Sequence, residues 1–129
     1  MKIILDTNVI VSALLSLNGL PAKIFNLFLN GSVILTYDNL ILAEYINTLY
    51  KEKFKFNKEQ LGIIIDYIEK KGEYKIAIPQ NIKLEDEDDK NFYDLFKSTD
   101  VNYLITGNKK HFPHEKGIIN PREFLEAEY

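Results

Sequence analysis

The sequence predicts an α/β fold in which a mainly parallel sheet of about five strands is covered by helices on both faces. Two observations carry this prediction. Short runs of apolar and β-branched residues alternate along the chain with longer segments whose apolar residues recur at helical spacing. Continuous apolar strands are typical of sheets buried on both faces, and alternation of strand and helix is typical of parallel sheets.

The first half of the chain contains two strand signals and four helix signals, without a linker or an internal repeat. Pro21 starts the second helix because proline is tolerated in the first turn, and Asn30-Gly31 ends it. Asp38 and Asn57 suit the N-cap positions of the next two helices, with Gln60 completing a capping box. The predicted elements are a strand at 2–5, a helix at 8–17, a helix from Pro21, a strand at 33–36, and helices at 39–51 and 57–71. The apolar faces of the last two are predicted to be Leu42, Ile46, Leu49 and Tyr50, and Leu61, Ile64, Ile65 and Ile68.

The second half continues the alternation. Pro79 ends the third strand because proline cannot donate to a strand ladder. The acidic run Glu85–Asp89 marks the start of a helix, since carboxylates favour the first turn. The predicted elements are a strand at 74–79, a helix at 87–98, strands at 103–106 and 117–119, and a short final helix from Asn120-Pro121.

Composition limits the class of protein. A chain of 129 residues that is 46% hydrophobic has the length and core material of one domain, residues 1–129. Cysteine is absent, which excludes disulfides and thiolate metal sites, and no apolar run approaches the roughly 18 residues of a membrane span. We therefore expect a cytoplasmic protein without a membrane partner. The net charge of −3 argues against a protein that coats duplex nucleic acid.

Two acids lie at positions where chemistry is common in such folds. Asp6 follows the first strand, and ligands of open α/β sheets bind outside the carboxyl ends of the strands. The alternative is that Asp6 or Thr7 only caps the next helix. Glu44 lies in the third helix beside Leu40 and Ile41, where an unpaired carboxylate is costly. The alternative for Glu44 is a position at the rim of that face, pointing to water.

Two further positions complete the candidate set. In the acidic run, Asp89 shares a helical stripe with Phe92 and Phe96, which turns it towards the core. Asp88 shares another row with Phe92, so spacing alone leaves the choice between Asp88 and Asp89 open. Thr106-Gly107-Asn108 follows the fourth strand, and the alternative there is an ordinary turn in which Asn108 is an N-cap.

Together these residues predict a cation site made of oxygen ligands. With no cysteine and only two histidines in the chain, such a site suits Mg²⁺ or Mn²⁺ better than Zn²⁺. A site of this kind can hydrolyse phosphodiester bonds by activating water and neutralising charge on the phosphate. The chain has no nucleophile elbow and no Walker loop, so acyl transfer and NTP hydrolysis lack support.

These motifs resemble, in order and separation, those of the PIN-domain family over essentially the whole chain. The resemblance is closest to a branch regarded as toxins of toxin–antitoxin pairs, with a similar ending at Thr106–Pro113. The motifs that carry it are Asp6-Thr7-Asn8-Val9, Glu44, Asp86-Glu87-Asp88-Asp89 and Tyr103-Leu104-Ile105-Thr106-Gly107-Asn108.

The resemblance implies a three-layer α/β/α sandwich that cleaves single-stranded RNA with Mg²⁺ or Mn²⁺. Asp6 and Asp89 would be the main metal ligands. Glu44 would bind a second metal or orient the attacking water. The residues that would hold these carboxylates in place by hydrogen bonds are Thr7, Asn8 and Thr106.

Asn108 stands where most PIN domains carry a fourth aspartate, which lowers the expected affinity for a second metal. The resemblance also implies a homodimer and a cognate antitoxin protein as partner. A PIN fold that binds RNA or a protein with little catalysis is one alternative to the nuclease. A phosphatase of the haloacid-dehalogenase type is another, but its Asp-x-Asp motif is broken here by Asn8.

Basic residues supply the possible RNA contacts. Lys109 and Lys110 are expected beside the entrance to the site. A cluster of Lys51, Lys53, Lys55 and Lys58 interleaves with Phe54 and Phe56, and such a pattern can hold a single strand by charge and stacking. We favour the alternative, a solvated turn in which the two phenylalanines anchor the segment to the core.

Overall fold

The computed structural model describes residues 1–129, which form one parallel five-stranded sheet and six helices. The strands are β1 (Lys2–Leu5), β2 (Ile34–Tyr37), β3 (Glu73–Tyr74), β4 (Tyr103–Ile105) and β5 (Ile118–Ile119). The helices are α1 (Thr7–Leu15), α2 (Leu20–Leu29), α3 (Asn39–Leu49), α4 (Lys58–Lys71), α5 (Glu87–Ser98) and α6 (Pro121–Glu128). The fold class predicted from the sequence, a three-layer α/β/α sandwich, is confirmed.

The strand order is β3-β2-β1-β4-β5, and this order decides where a site can form. From β1 the chain builds outwards through β2 to β3, and then returns to the other side of β1 to form β4 and β5. The connections on either side of β1 therefore run in opposite directions, which opens a crevice between the carboxyl ends of β1 and β4.

The hydrophobic core surrounds the central strand. Ile3, Ile4 and Leu5 have no exposed surface, because β1 lies between two strands and beneath helices on both faces. Ile3 pairs with Leu35 on one side and with Tyr103 on the other. The carboxyl end of β1 is thus held by well-packed apolar residues, which makes it a rigid base for the polar residue that follows.

Side-chain caps fix the starts of the helices. Asp38 accepts the N–H of Ile41 at 2.8 Å, and Asn57 accepts the N–H of Gln60 at 3.0 Å. Asn57 thus caps α4 as predicted, although no bond from the Gln60 side chain back to Asn57 completes the box. A full capping box occurs instead at α6, between Asn120 and Glu123.

The strand predicted at 74–79 is wrong beyond Tyr74. The N–H of Lys75 still bonds to the carbonyl of Tyr37 at 2.9 Å, but β2 ends at Tyr37 and Asp38 already begins the next helix. Because β3 is an edge strand, no other backbone is available to pair with the residues that follow. Ile76 and Ile78, which alternate like strand residues, are consequently exposed.

The face predicted for α3 is also shifted by one residue. The buried residues are Ile41, Tyr45 and Leu49, at i, i+4 and i+8, whereas Leu42 and Ile46 are only partly buried and Tyr50 is exposed. The reason is Tyr45, whose hydroxyl donates a 2.5 Å hydrogen bond to the carbonyl of Leu5 and so turns this row towards β1. For α4 the predicted row is closer, with Leu61, Ile65 and Ile68 buried and Ile64 partly buried.

No single helix is long and apolar enough to cross a membrane. By length and composition alone, α1 and α2 pass that test as a pair, but they are bent by 101° relative to each other.

Candidate active site

Asp6 is the innermost acid of the site. It follows β1 directly, its side chain is buried, and Oδ2 accepts a 2.7 Å hydrogen bond from the hydroxyl of Thr106. Its backbone N–H donates to the carbonyl of Ile105 at 2.9 Å, which ties the ends of β1 and β4 together. Although Asp6 is at the N-cap position of α1, its side chain makes no capping hydrogen bond. The Asp6 carboxylate therefore does not cap α1, which was the alternative considered above.

Glu44 faces Asp6 from α3. The side chain is partly buried beside Tyr45, and its Oε2 accepts a hydrogen bond from the hydroxyl of Thr7. Thr7 is the first residue of α1 and is buried, so the two helices are joined at the residue that follows Asp6. This contact orients Glu44 towards the end of β1 and not towards bulk water.

The N-terminus of α5 supplies the remaining acids. Asp86 caps this helix by accepting the N–H of Asp88 at 2.9 Å, so the acidic run does have the capping role that such runs often have. The side chain of Asp89 is only 15% exposed and lies 3.5 Å from Nδ1 of His111. Asp88 is exposed, but it borders the same cleft, so the structure brings both acids to the site.

These elements enclose one cleft, which we call the acidic crevice. Five carboxylates and no basic side chain line it. Its lining residues are Asp6, Thr7, Asn8, Val11, Ser12, Glu44, Thr48, Phe54, Asp86, Asp88 and Asp89. The three acids identified from the sequence as metal ligands are thus neighbours in space, although they are separated by up to 83 positions in the chain.

The crevice holds its negative charge at a cost. Burial raises the pKa of Glu44 to about 7, with further upward contributions from Asp88 and Asp6, although the hydrogen bond from Thr7 opposes the rise. Burial also raises the pKa of Asp89 to about 6, and Asp6 adds to the effect. The pKa of Asp6 is raised as well, chiefly by burial. Near neutral pH the carboxylates of the crevice therefore have too little positive charge around them to offset their own negative charge.

The chemistry of this donor set fits a hard divalent cation. Carboxylate and hydroxyl oxygens are the donors that Mg²⁺ and Mn²⁺ accept. A cation would offset both the burial, which is the main cause of the raised pKa values of Glu44 and Asp89, and the added repulsion from neighbouring acids. The arrangement itself is not that of a closed metal cage, because no three His, Cys, Asp or Glu side chains are grouped to hold an ion. The residues of the crevice thus match a divalent cation in the type of their ligand atoms, but they do not form a closed cage.

The end of β4 contributes in a different way from the end of β1. Thr106 is fully buried, and its hydroxyl donates to Asp6 while accepting the N–H of Asn108 at 3.0 Å. The N–H of Gly107 donates to Oδ1 of Asn8 at 3.2 Å. The side chain of Asn108 is exposed and does not line the acidic crevice, because the chain turns at Gly107 into a 3₁₀ turn at Lys109–His111.

The two lysines predicted near the entrance differ in their surroundings. Lys109 forms an ion pair with Glu123 at 2.9 Å, so its charge is already partnered. Lys110 is exposed and lines a neighbouring groove together with Asp89 and His111. Of the two, Lys110 is the one whose charge is available beside the crevice.

Sequence reasoning missed several residues at the site. Ser12 and Thr48 line the crevice one helical turn after Asn8 and Glu44, so the i, i+4 rule could have found both. Phe54 also lines it, and no sequence signal places this residue there. Asp94 was missed as a buried acid, but it has a structural explanation. It forms an ion pair with Lys90 at 2.9 Å.

Comparison with known proteins gives the family. A family model described as the PIN domain matches residues 2–110, which include every acid of the crevice and the end of β4. Neither the curated proteins nor the solved structures include a match to this chain. The matched region is most of the chain, and it contains the whole sheet except β5. The chain therefore belongs to the PIN-domain family, and its fold is of the nuclease type.

Proposed function

We propose that the protein is a metal-dependent endoribonuclease that hydrolyses phosphodiester bonds of single-stranded RNA. One observation carries the proposal. Asp6, Glu44 and Asp89 line a single crevice at the carboxyl end of the sheet, where no lysine or arginine neutralises them and the only basic group in contact is His111, 3.5 Å from Asp89. A concentration of carboxylates without lysine or arginine partners is costly, and it is typical of a site that binds cations.

Burial and hydrogen bonding support the following roles. Asp6 and Asp89 would hold Mg²⁺ or Mn²⁺, with Glu44 as the third acid. A bound ion of this kind lowers the pKa of a water molecule and neutralises charge on the phosphate. Thr106 fixes one oxygen of Asp6, and Thr7 fixes Oε2 of Glu44. Oε1 of Glu44 then remains to orient the attacking water and accept its proton, as a general base does.

The remaining predicted residues have supporting roles in this proposal. Asn8 accepts the N–H of Gly107 and so holds the end of β4 against α1. Lys110 would contact a phosphate near Asp89, since both line one groove, whereas the ion pair with Glu123 weakens the case for Lys109.

The test is cleavage of a labelled single-stranded RNA with and without Mn²⁺. We expect Asp6→Asn, Glu44→Gln and Asp89→Asn each to reduce the rate by about 10²-fold or more, the usual scale for removing an acid–base group. Asp66→Asn is the matched control, because Asp66 is an exposed acid of α4 that lies outside the crevice. Cleavage that survives Asp6→Asn, or that is insensitive to a chelator, would overturn the proposal.

The cellular role that we propose is that of a cytoplasmic toxin, active as a homodimer and neutralised by a cognate antitoxin protein. It is supported by the likeness of Thr106–Pro113 to the ending of one branch of the family. Induced expression should arrest growth, and co-expression of a small protein encoded beside it should restore growth. Growth unaffected by the wild type, under conditions in which the purified protein cleaves RNA, would separate the enzyme from the toxin.

A second candidate is a PIN-fold module that binds RNA or a protein and has little catalytic activity. Two observations favour it: Asn108 brings neither charge nor side chain to the crevice, and no three acids are grouped as a ready metal site. Calorimetric titration separates the candidates. RNA binding without Mn²⁺ binding would support the module, and Mn²⁺ binding that depends on Asp6 would support the nuclease.

A further inference from the structure

The acidic crevice presents a problem for an RNA substrate. Five carboxylates line it and no lysine or arginine does, so the crevice repels a polyanion such as RNA on electrostatic grounds. The chain as a whole has a net charge of −3 and offers no general attraction either. Binding energy for the phosphates must therefore come from a basic surface beside the crevice, in addition to any bound metal ion.

One such surface directly follows α3, the helix that carries Glu44. We call residues Lys51–Lys58 the lysine arm. It contains a 3₁₀ turn at Glu52–Phe54 and leads into α4. Its four lysines, Lys51, Lys53, Lys55 and Lys58, are all exposed, and none of them forms an ion pair. By contrast, Lys109, nearer to the end of β4, is paired.

Phe54 connects the lysine arm with the crevice. Its side chain is partly buried and packs with that of Phe56 against the hydrophobic core, as the sequence predicts, and it also forms part of the crevice wall beside the acids. The ring lies 5.6 Å from that of Phe56, with an angle of 15° between the ring planes, so the two rings are stacked. Lys53 places its ammonium 5.1 Å from the centre of the Phe54 ring. An aromatic face next to an ammonium group is the combination that holds a base and its phosphate in single-strand binding proteins.

The backbone keeps this arrangement in place. Lys55 has φ 54°, and it is the one non-glycine residue in the chain with a positive φ. Its N–H donates to the carbonyl of Glu52 at 3.1 Å, which closes the turn. The left-handed conformation reverses the chain between Phe54 and Phe56 and so brings the rings together. This backbone conformation is higher in free energy for lysine than for glycine, so the surrounding packing has to offset the difference.

We propose that the lysine arm is the surface that binds single-stranded RNA and leads it into the acidic crevice. Lys53 and Lys55 contact phosphates, and Phe54 stacks on the base next to the scissile bond. A duplex cannot use this surface in the same way, because its bases are already stacked and paired. The proposal rests on the RNA-cleaving function stated above, but it concerns binding and can be tested without cleavage.

The test is binding of a fluorescent, unstructured oligoribonucleotide in the presence of a chelator, followed by anisotropy over a range of salt concentrations. Lys53→Gln/Lys55→Gln should weaken binding about tenfold or more at roughly 0.1 M salt. The slope of log K against log salt should become shallower by about 0.7 per lost phosphate contact, hence by about 1.4. The matched control is Lys70→Gln/Lys71→Gln, which removes the same charge from exposed, unpaired lysines at the far end of α4, a helix about 21 Å long.

Stacking has its own readout. An oligoribonucleotide that contains 2-aminopurine loses fluorescence when that base stacks on an aromatic ring. We expect quenching by the wild type and by Phe54→Tyr, which keeps the ring. Phe54→Leu should abolish the quenching and weaken binding by about 5- to 100-fold. Thermal unfolding of each variant identifies any loss that is due to misfolding, and the pair Phe54→Tyr and Phe54→Leu keeps the test valid if Leu lowers stability.

The outcomes separate the two proposals. Equal RNA affinity of the wild type and the Lys53/Lys55 variant, or an equal loss in the Lys70/Lys71 control, would overturn the role of the lysine arm. So would a wild type that binds no RNA, or one that prefers the duplex form of the same sequence. If the arm variants lose binding while the wild type cleaves nothing with Mn²⁺, the arm stands and the proposed nuclease function fails.

Discussion

Replacing Glu44 by glutamine is expected to stabilise the metal-free protein at about pH 8. The crevice raises the pKa of Glu44 from 4.5 to about 7. The folded protein therefore holds the proton of Glu44 more tightly than the unfolded chain does. Stability contributed by this group falls as pH rises from about 4.5 through about 7, and the full cost is present above that range. Glutamine has almost the same shape and can accept the hydrogen bond from Thr7, but it carries no charge.

The magnitude follows from the pKa values. At 1.36 kcal/mol per pKa unit, a rise from 4.5 to about 7 corresponds to about 3 kcal/mol. Glu44 is only partly buried, so solvent screens part of this cost, and about 1–2 kcal/mol is the expected gain at pH 8. At about pH 4.5 most of the gain should be absent, since the carboxyl of the folded wild type is then protonated and resembles the amide.

Urea denaturation at the two pH values, in the presence of a chelator, measures this difference. Glu69→Gln is a suitable control because Glu69 is an exposed glutamate of α4 outside the crevice. Addition of Mn²⁺ at pH 8 should reverse the order of stability, because a ligand that binds only the folded state stabilises it and the variant has lost an acid. A variant that is less stable than the wild type at pH 8, or a gain that does not change with pH, would refute the reasoning.

Three further variants test other parts of the structure. Thr106→Val removes the buried hydroxyl that bonds to Asp6 and should cost about 1–3 kcal/mol in a urea titration, together with most of the RNA cleavage. Asn108→Asp should change Mn²⁺ affinity by less than about threefold in calorimetry, because this exposed side chain lies outside the crevice. Gly72→Ala should destabilise the fold by about 1–3 kcal/mol, because the added Cβ would lie 2.5 Å from the carbonyl oxygen of Ile68 and so force the backbone to shift.

Each of these expectations has an opposing result. Wild-type stability and activity in Thr106→Val would mean that Asp6 does not depend on that hydrogen bond. A large gain in Mn²⁺ affinity from Asn108→Asp would show that the turn after β4 moves into the crevice when metal binds. A thermal midpoint of Gly72→Ala equal to that of the wild type would show that the junction of α4 and β3 is loosely packed.

The order and type of the main elements could be predicted because each depends on local signals. The sequence predicts the helix at 87–98 with its observed limits, since an acidic N-terminus and a regular apolar stripe mark it within its own sequence. The predicted third strand is too long because the alternation of Ile76 and Ile78 does not reveal that β2 ends at Tyr37. A strand needs a partner, and the length of the partner is decided elsewhere in the chain.

For the site, too, local signals could be read from the sequence and contacts between distant segments could not. The position of Asp6 at a strand end follows from periodicity, whereas periodicity leaves the choice between Asp88 and Asp89 open. The structure places all three in one crevice with Glu44. The exposure of Asn108 depends on a turn at Gly107 that spacing does not encode. The ion pair of Lys109 depends on Glu123, which a local reading does not bring near. Contacts between distant segments thus decided what the sequence left open.

The bond between Thr106 and Asp6 also has a consequence for the order in which a newly made chain matures. The two residues are separated by 100 positions, and β4 is the last of the strands that flank the central one to be synthesised. In a growing chain on the ribosome, Asp6, Glu44 and Asp89 are therefore synthesised well before β4 and Thr106, whose hydroxyl bonds to Asp6. Assembly of the crevice is therefore postponed until β4 has emerged, so a translation product that stops before Thr106 has the acids but lacks the hydrogen bond that aligns Asp6.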